Sequence, residues 1–396
     1  MPCANRSASR LGSRRAQPTL LGEGLAMLGS RRPQFVNVDD ARRLARRRLP
    51  RMIFDYVDGG ARSELTKDAN RAAFEEVTFR PRMAVHVGAP HTETMVMGAP
   101  VSMPLLVSPC GGLRAVHPDG DSGVARAAGR AGTVFTLSSA SGMSIEEVRD
   151  TASGPLWFQL YFLGGRAGAE VLVDRAARAN YRALVVTVDT PVVGVRERDV
   201  RNGMTQGPNV NARNIVHFAP HVAVRPRWLY NFVRDGMSIE LANATALGPG
   251  GTPMRPEQAS AALISEPPTW ADIEWIRRQH GADGVVVSNH GGRQLDGAPA
   301  TLRALPEIVA AVGDQLEIFL DGGVRRGSDV VKALALGARA VMIGRPYVYA
   351  LGARGERRVD EVLSLLREEL HNAMGLMGCH SIRDLDASWV ATPRRD

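Results

Sequence analysis

Three consecutive strand-like runs in this chain stop at glycine and put ionisable side chains at the stop. They read VVVSNHGGRQLDG (285–297), FLDGGVRRGSDVVKALALGARA (319–340) and VMIGRP (341–346). His290 is a candidate general base, because imidazole exchanges a proton near neutrality. Arg293 is a candidate anion clamp, because guanidinium keeps its charge and grips a carboxylate with two parallel donors. Gly322, Gly323 and Gly344 leave backbone N–H groups uncovered, and with Arg325 and Arg345 they could cradle a phosphate. These devices converge if the runs are neighbouring strands of a barrel, where catalysis and phosphate binding sit on the loops after strands.

The rest of the chain supplies the elements such a barrel needs. Apolar runs ending in Gly, Pro, Ser or Asp occur at Leu105–Pro109, Thr133–Ser138, Leu156–Tyr161, Ala183–Asp189, Gly284–Ser288, Glu317–Asp321 and Ala340–Ile343. Helix-like stretches lie between most of them, at Ser122–Ala131, Ser144–Thr151, Ala167–Ala179 and Ser328–Leu336. Apolar strands alternating with amphipathic helices predict an α/β fold with a parallel sheet buried on both faces. Ser328 is placed to cap the last of these helices, and Gly337 to end it. Ahead of the sheet, Asp39–Arg48 has helical spacing, Pro50 interrupts it, and Met52–Val57 begins a helix that stops at Gly59–Gly60. Residues 202–268 are rich in Pro, Gly, Arg and Asn without a clear period, so a long irregular insertion is expected there. The barrel domain is expected to span 35–396. Residues 1–34 hold arginines and serines but one acidic residue, Glu23, and read as a disordered or targeting-like tail.

Composition sets outer limits. A chain of 396 residues with 44% hydrophobic content can bury one large core. The net charge of +8 is nearly all arginine, since Lys67 and Lys332 are the only lysines. No run interleaves those arginines with stacking aromatics, so nucleic acid is not expected as a partner. Cys3, Cys110 and Cys379 are widely spaced with no metal-type pair, which suits a reduced, cytoplasmic protein and no metal site. No run of about 18 apolar residues is present to span a membrane.

Taken in order, SNHGGRQLDG, DGGVRRGSDVVKALALGA, IGRP, FQLY and VTVDTP followed by Arg196 resemble the FMN-dependent α-hydroxy-acid oxidising family, which includes glycolate oxidase, L-lactate dehydrogenase and mandelate dehydrogenase. The resemblance covers roughly residues 36–393. It implies a TIM-type (β/α)8 barrel, FMN as cofactor, and oxidation of an L-2-hydroxy acid, with L-lactate the leading substrate. His290 then takes the proton, by a carbanion or a hydride route, and Asp189 pairs with it. Arg196 and Arg293 match the carboxylate-binding arginines, and Tyr56 and Tyr161 match phenols that contact substrate. Asp321 matches a residue on the ribityl side. Pro109, Cys110, Gly111, Ser138, Gln159, Thr187 and Ser288 match positions around the ring and ribityl chain. Gly322, Gly323, Arg325, Gly344 and Arg345 match the phosphate site. Ala140 stands where some members carry a bulky aromatic, which alters the substrate pocket. A homotetramer is implied, and the electron acceptor is left open among oxygen, a quinone and a carrier protein. The basic 202–268 region, with Pro226–Arg227–Trp228, could lie on the inner face of an anionic membrane. A solvated or oligomer-contacting loop is the alternative.

One departure is large. After TWADIEWIRRQH (269–280) the family supplies a strand and a helix before the segment matching GADGVVVSNHGG, but here Gly281 follows His280 directly. Roughly twenty residues are absent, one strand–helix unit. That strand, the fifth, carries the lysine set against the flavin's N1/C2-carbonyl edge. Seven strands are therefore expected, with weakened flavin binding and reduced turnover; a catalytically silent member is the alternative. The phosphate-loop motifs also resemble IMP dehydrogenase and type 2 isopentenyl-diphosphate isomerase barrels, against which SNHGGRQLDG and VTVDTP argue.

Overall fold

Each of the seven apolar runs folds as a parallel strand, because its side chains are accommodated on both faces of a covered sheet. In chain order they are β1 (Leu105–Val107), β2 (Phe135–Ser138), β3 (Leu156–Leu160), β4 (Ala183–Val186), β5 (Gly284–Val287), β6 (Glu317–Asp321) and β7 (Ala340–Ile343). They were obtained from a computed structural model that describes residues 35–204, 215–236, 241–247, 258, 261–262 and 267–393. The tail at 1–34 lies outside the described residues, as do parts of 202–268.

The strand order is β4-β3-β2-β1-β7-β6-β5, a seven-stranded parallel sheet curled into a half-barrel. Its registers place Met342 opposite Leu106, Phe135 opposite Leu156, and Val286 opposite Phe319. Inside the curl, Trp157 and Phe319 meet edge to face with ring centroids 5.4 Å apart. Around them pack Val96 and Val101 of the Thr94–Val96/Ala99–Val101 hairpin, with Leu106, Val134 and Met342. Burial separates interior from edge. All residues of β1, β2, β3 and β7 are buried, whereas β4 is half-buried throughout and β5 is buried only at Val287. Among the described residues, β4 and β5 have no strand pairing on their outer edges, so the sheet holds seven strands rather than eight.

Helices cover the outside where their caps and apolar faces dictate. Ser144 accepts from Glu147 N, and Glu147 accepts from Ser144 N in return, which starts helix Ile145–Thr151. The expected Ser328 cap is corrected: helix Gly327–Ala335 begins one residue earlier. Asp329 supplies its capping acceptor, taking the N–H groups of Arg325 and Arg326 at 2.8 and 2.9 Å. A carboxylate two or three residues inside the helix can reach back to these orphan donors, and Ser328 is then already within the first turn. The insertion is also more regular than its composition suggests, with helices Ile215–Ala223 and Pro226–Arg234 and a 3-10 turn at Ala242–Leu247. Pro226 at the first turn is compatible with helix entry.

Candidate active site

A histidine–carboxylate pair stands at the ends of the two edge strands. Asp189 follows β4 and His290 follows β5, and Nδ1 of His290 lies 3.2 Å from Asp189 Oδ1. That leaves Nε2 for a substrate. His290 has φ +58°, a left-handed conformation costly for a side-chain-bearing residue and one that clusters at functional sites. Its N–H donates to Ser288 Oγ at 3.0 Å. Gln294 fastens the same two loops: its Nε2 donates to Asp189 O and Val192 O at 3.1 and 3.2 Å, and its Oε1 accepts from Gly194 N at 3.2 Å. Asn289 and Asn70 exchange amide hydrogen bonds of 2.8 and 2.9 Å, which ties the His290 loop to helix Leu65–Glu76.

Positive charge gathers beside this pair. Arg196 and Arg293 lie 5.5 and 5.0 Å from the centroid of the Tyr56 ring. Burial works against the charge of Arg196, but Tyr56 and Asp199 outweigh it and raise its basicity. Burial pushes Arg293 down to about 10, helped by Arg196 and Arg345. Arg293 Nη1 donates to Tyr56 O and Gly59 O at 2.6 and 3.1 Å, so Nη2 and Nε remain for a ligand. Arg345 reaches Val57 O, Gly59 O and Gly291 O, and burial lowers its basicity as it does that of Arg325. Among the described residues, Arg293, Arg325 and Arg345 have no carboxylate within ion-pair distance. Three half-buried guanidiniums without a carboxylate partner suit an anionic ligand.

These groups surround one cavity of about 410 Å³, and every site residue named from the sequence lines it. Tyr161 is among them, its phenol pushed up by burial and by Asp189.

About nine-tenths of the chain matches known proteins. The model of the FMN-dependent dehydrogenase family matches residues 45–280 and 278–392. Glycolate oxidase 5 of Oryza sativa subsp. japonica is 39% identical over 380 residues, covering 91% of this chain and 96% of the relative. L-lactate oxidase of Nostoc sp. is 40% identical, covering 90% and 98%. The crystal structure of monotopic membrane protein (S)-mandelate dehydrogenase superposes with a TM-score of 0.83 at 38% identity, covering 91% of this chain and all of that one. The chain belongs to the FMN-dependent α-hydroxy-acid dehydrogenase and oxidase family. It is thus an enzyme whose cofactor is FMN and whose reaction is the oxidation of a 2-hydroxy acid.

The residues present fit that cofactor. Gly322 and Gly323 have φ of +99° and +90°, and a Cβ on Gly323 would meet Asn70 O at 2.2 Å, so only glycine serves in this cradle. Asp321, at the end of β6, accepts from Ser108 Oγ at 2.8 Å and Ser288 Oγ at 3.0 Å, which fixes its carboxylate at the cavity wall. Ser138 donates to Gln159 Oε1 at 2.9 Å, and Gln159 Nε2 donates to Thr187 at 2.9 Å, a polar chain across the ends of β2, β3 and β4. The Cys110 thiol, pushed up to about 11 by burial, stays neutral beside Gly344. Lys67 and Lys332 stand elsewhere: Lys67 pairs with Glu64, and Lys332 donates to Phe74 O at 2.7 Å.

Sequence reasoning missed Ser108, Asn70, Asn289 and Gln294. Ser108, Asn289 and Gln294 adjoin Pro109, His290 and Arg293, so position at a strand end could have flagged them. Nothing local marks Asn70, which acts from 219 residues away.

Proposed function

We propose that this chain oxidises an L-2-hydroxy acid to the 2-oxo acid, with L-lactate as the simplest substrate. His290 Nε2 takes the proton from the substrate, and Asp189 holds Nδ1 and stabilises the imidazolium. The free half of the Arg293 fork, Arg196 and the phenols of Tyr56 and Tyr161 hold the substrate carboxylate. Arg325 and Arg345, with the N–H groups at Gly322, Gly323 and Gly344, would hold the phosphate of FMN. Asp321, Ser288, Ser138, Gln159, Thr187 and the Pro109–Gly111 turn would line its ribityl chain and ring. Bound FMN supplies acceptance of two electrons. The observation that carries this reading is the His290–Asp189 pair opening into the same cavity as three half-buried guanidiniums that, among the described residues, have no carboxylate partner. The test is the absorption spectrum of the purified protein before and after L-lactate is added without oxygen. Bleaching of a yellow protein supports the reading; a yellow protein that no 2-hydroxy acid bleaches overturns it.

We further propose that one strand–helix unit, with its lysine, is missing between β4 and β5, so turnover is reduced. Two observations support this: among the described residues the outer edges of those strands are unpaired, and the family match breaks into two pieces at 278–280. They equally favour a second reading, a catalytically silent member, for which a colourless, stable protein would speak. Helix Pro226–Arg234 supports peripheral membrane attachment, because Leu229, Tyr230 and Val233 are exposed beside the exposed Arg227 and Arg234. Among the described residues, no helix is long and apolar enough to cross a membrane. A homo-oligomer passing electrons to oxygen, a quinone or a carrier protein completes the proposal.

A further inference from the structure

The segment from Tyr56 to Glu64 presents a phenol to the cavity, yet its strongest fastenings point the other way. Asp58 is buried, and its carboxylate accepts from Arg42 Nε and Nη2 at 2.5 and 2.8 Å, Arg198 Nη1 at 2.7 Å, and Tyr349 Oη at 2.7 Å. Burial works against its charge, but the hydrogen bonds from Arg42 and Tyr349 hold the carboxyl far below the usual range. Glu64 takes the other end of Arg198, accepting from Nη2 at 2.5 Å, and also accepts from Gly60 N at 3.0 Å. Arg198 is thus gripped by two carboxylates from one short segment. It lies in helix Glu197–Arg201, whose N-cap is Arg196. A backbone bond from Arg62 N to Val195 O, 2.9 Å, runs alongside.

We propose that Asp58 is a positioning residue for the substrate's carboxylate: by holding Arg198 it sets Arg196 against Tyr56. Both links are short and stiff, since Tyr56 precedes Asp58 by two residues and Arg196 precedes Arg198 by two. A buried charge satisfied by several donors has one deep minimum, so the guanidinium and the phenol share one fixed geometry. Arg42 provides the contrast. It binds the same carboxylate from helix Val38–Arg48 but, among the described residues, makes no hydrogen bond or ion pair with Arg196 or the Arg198 loop. A purely stabilising Asp58 would make Arg42 and Arg198 equivalent, whereas a positioning one makes them differ.

The proposal rests on the hydroxy-acid reading, and its test separates the two. Oxalate, a planar dicarboxylate, is titrated calorimetrically into FMN-loaded parent, Arg198→Gln, Arg42→Gln and Asp58→Asn proteins, with melting temperatures measured in parallel. Arg198→Gln and Asp58→Asn are expected to bind oxalate about tenfold more weakly, as small displacements of a clamp do. Arg42→Gln is expected to melt lower but bind oxalate like the parent. Equal affinity in Arg198→Gln and parent overturns the proposal, and so does an equal loss in Arg42→Gln. If Asp58→Asn does not fold, the two arginine variants decide alone. A parent that binds no oxalate overturns the hydroxy-acid reading and the proposal with it.

Discussion

The loops over β6 and β7 and those over β4 and β5 build one cavity from opposite kinds of support. On the β6–β7 side, the central residues of β6 and all of β7 are buried, Asp321 is held by two serine hydroxyls, and Arg345 spends three nitrogens on backbone carbonyls. On the β4–β5 side the strands are half-buried edges that do not pair with each other. Their union is made above the sheet, by the 3.2 Å His290–Asp189 contact and the three hydrogen bonds of Gln294. Under the proposed reading, the phosphate cradle is therefore built on a packed framework. The proposed proton-handling pair depends instead on loop-to-loop contacts across the seam between strands that do not pair, where the His290 and Asp189 side chains are each 33% exposed.

The comparison can be broken hardest at His290. Under the proposed role, His290→Ala lowers the rate of anaerobic flavin bleaching by L-lactate about 10²–10⁴-fold, with FMN content unchanged. A loss below tenfold would remove His290 from the chemistry. Next comes the seam itself. Inserting a strand–helix unit with a lysine at the strand end, between His280 and Gly281, should lower the barrier by about 3–4 kcal/mol, read as a rise in turnover. Unchanged flavin content and turnover would show that the open edge costs nothing.

The packed side has its own weak point. Asp121, in helix Gly120–Arg130 after β1, is fully buried, and the nearby Ser141 hydroxyl, its own backbone N–H and the Arg114 charge offset that burial only in part. Burial pushes its carboxyl up to about 7. An unfolded aspartate ionises near 4, so between about 4 and 7 the folded state binds the extra proton and stability falls as pH rises. Asp121→Asn has no proton to lose. Its stability relative to the parent should improve by roughly 3 kcal/mol from pH 4 to pH 8, measured by denaturant melts. A pH-independent difference would mean that Asp121 stays ionised or gains a partner. The smallest expected effect sharpens the contrast. Gln294→Ala removes the seam's side-chain fastening and should lower kcat/KM by the equivalent of about 1–2 kcal/mol with little change in melting. A falling melting temperature with unchanged kcat/KM would assign Gln294 to the fold alone.

The seven strands were legible because each run is apolar enough for a sheet covered on both faces and ends at a turn residue. The helices Ile215–Ala223 and Pro226–Arg234 were not. In Pro226–Arg234 none of the residues is buried, and a run of 9 residues set among Pro, Gly and Arg is too short for its period to stand out in the sequence. Ser328 was misread because a serine and a carboxylate one residue apart offer two cap registers, and the backbone took the carboxylate. The cavity-lining residues were legible because chemistry at strand ends collects on one face of a parallel sheet. The bonds that fasten the surrounding loops were not, since Asn70 meets Asn289 and Asp58 meets Arg198 across distances that the chain's local pattern does not name.

By itself, the sequence determined the periodic runs, the glycines that end them, and the imidazole and guanidiniums placed at those ends. It also determined that Gly281 follows His280 with no room for a further strand between them. Only the tertiary structure decided the 3.2 Å geometry at which Asp189 meets His290, that Arg198 is held by Asp58 and Glu64, and which strands are left as edges among the described residues. Local composition sets what a backbone segment can become, because each strand or helix is stabilised by nearby residues. Contacts between loops over a hundred residues apart depend on how the sheet curls, and no local pattern encodes that.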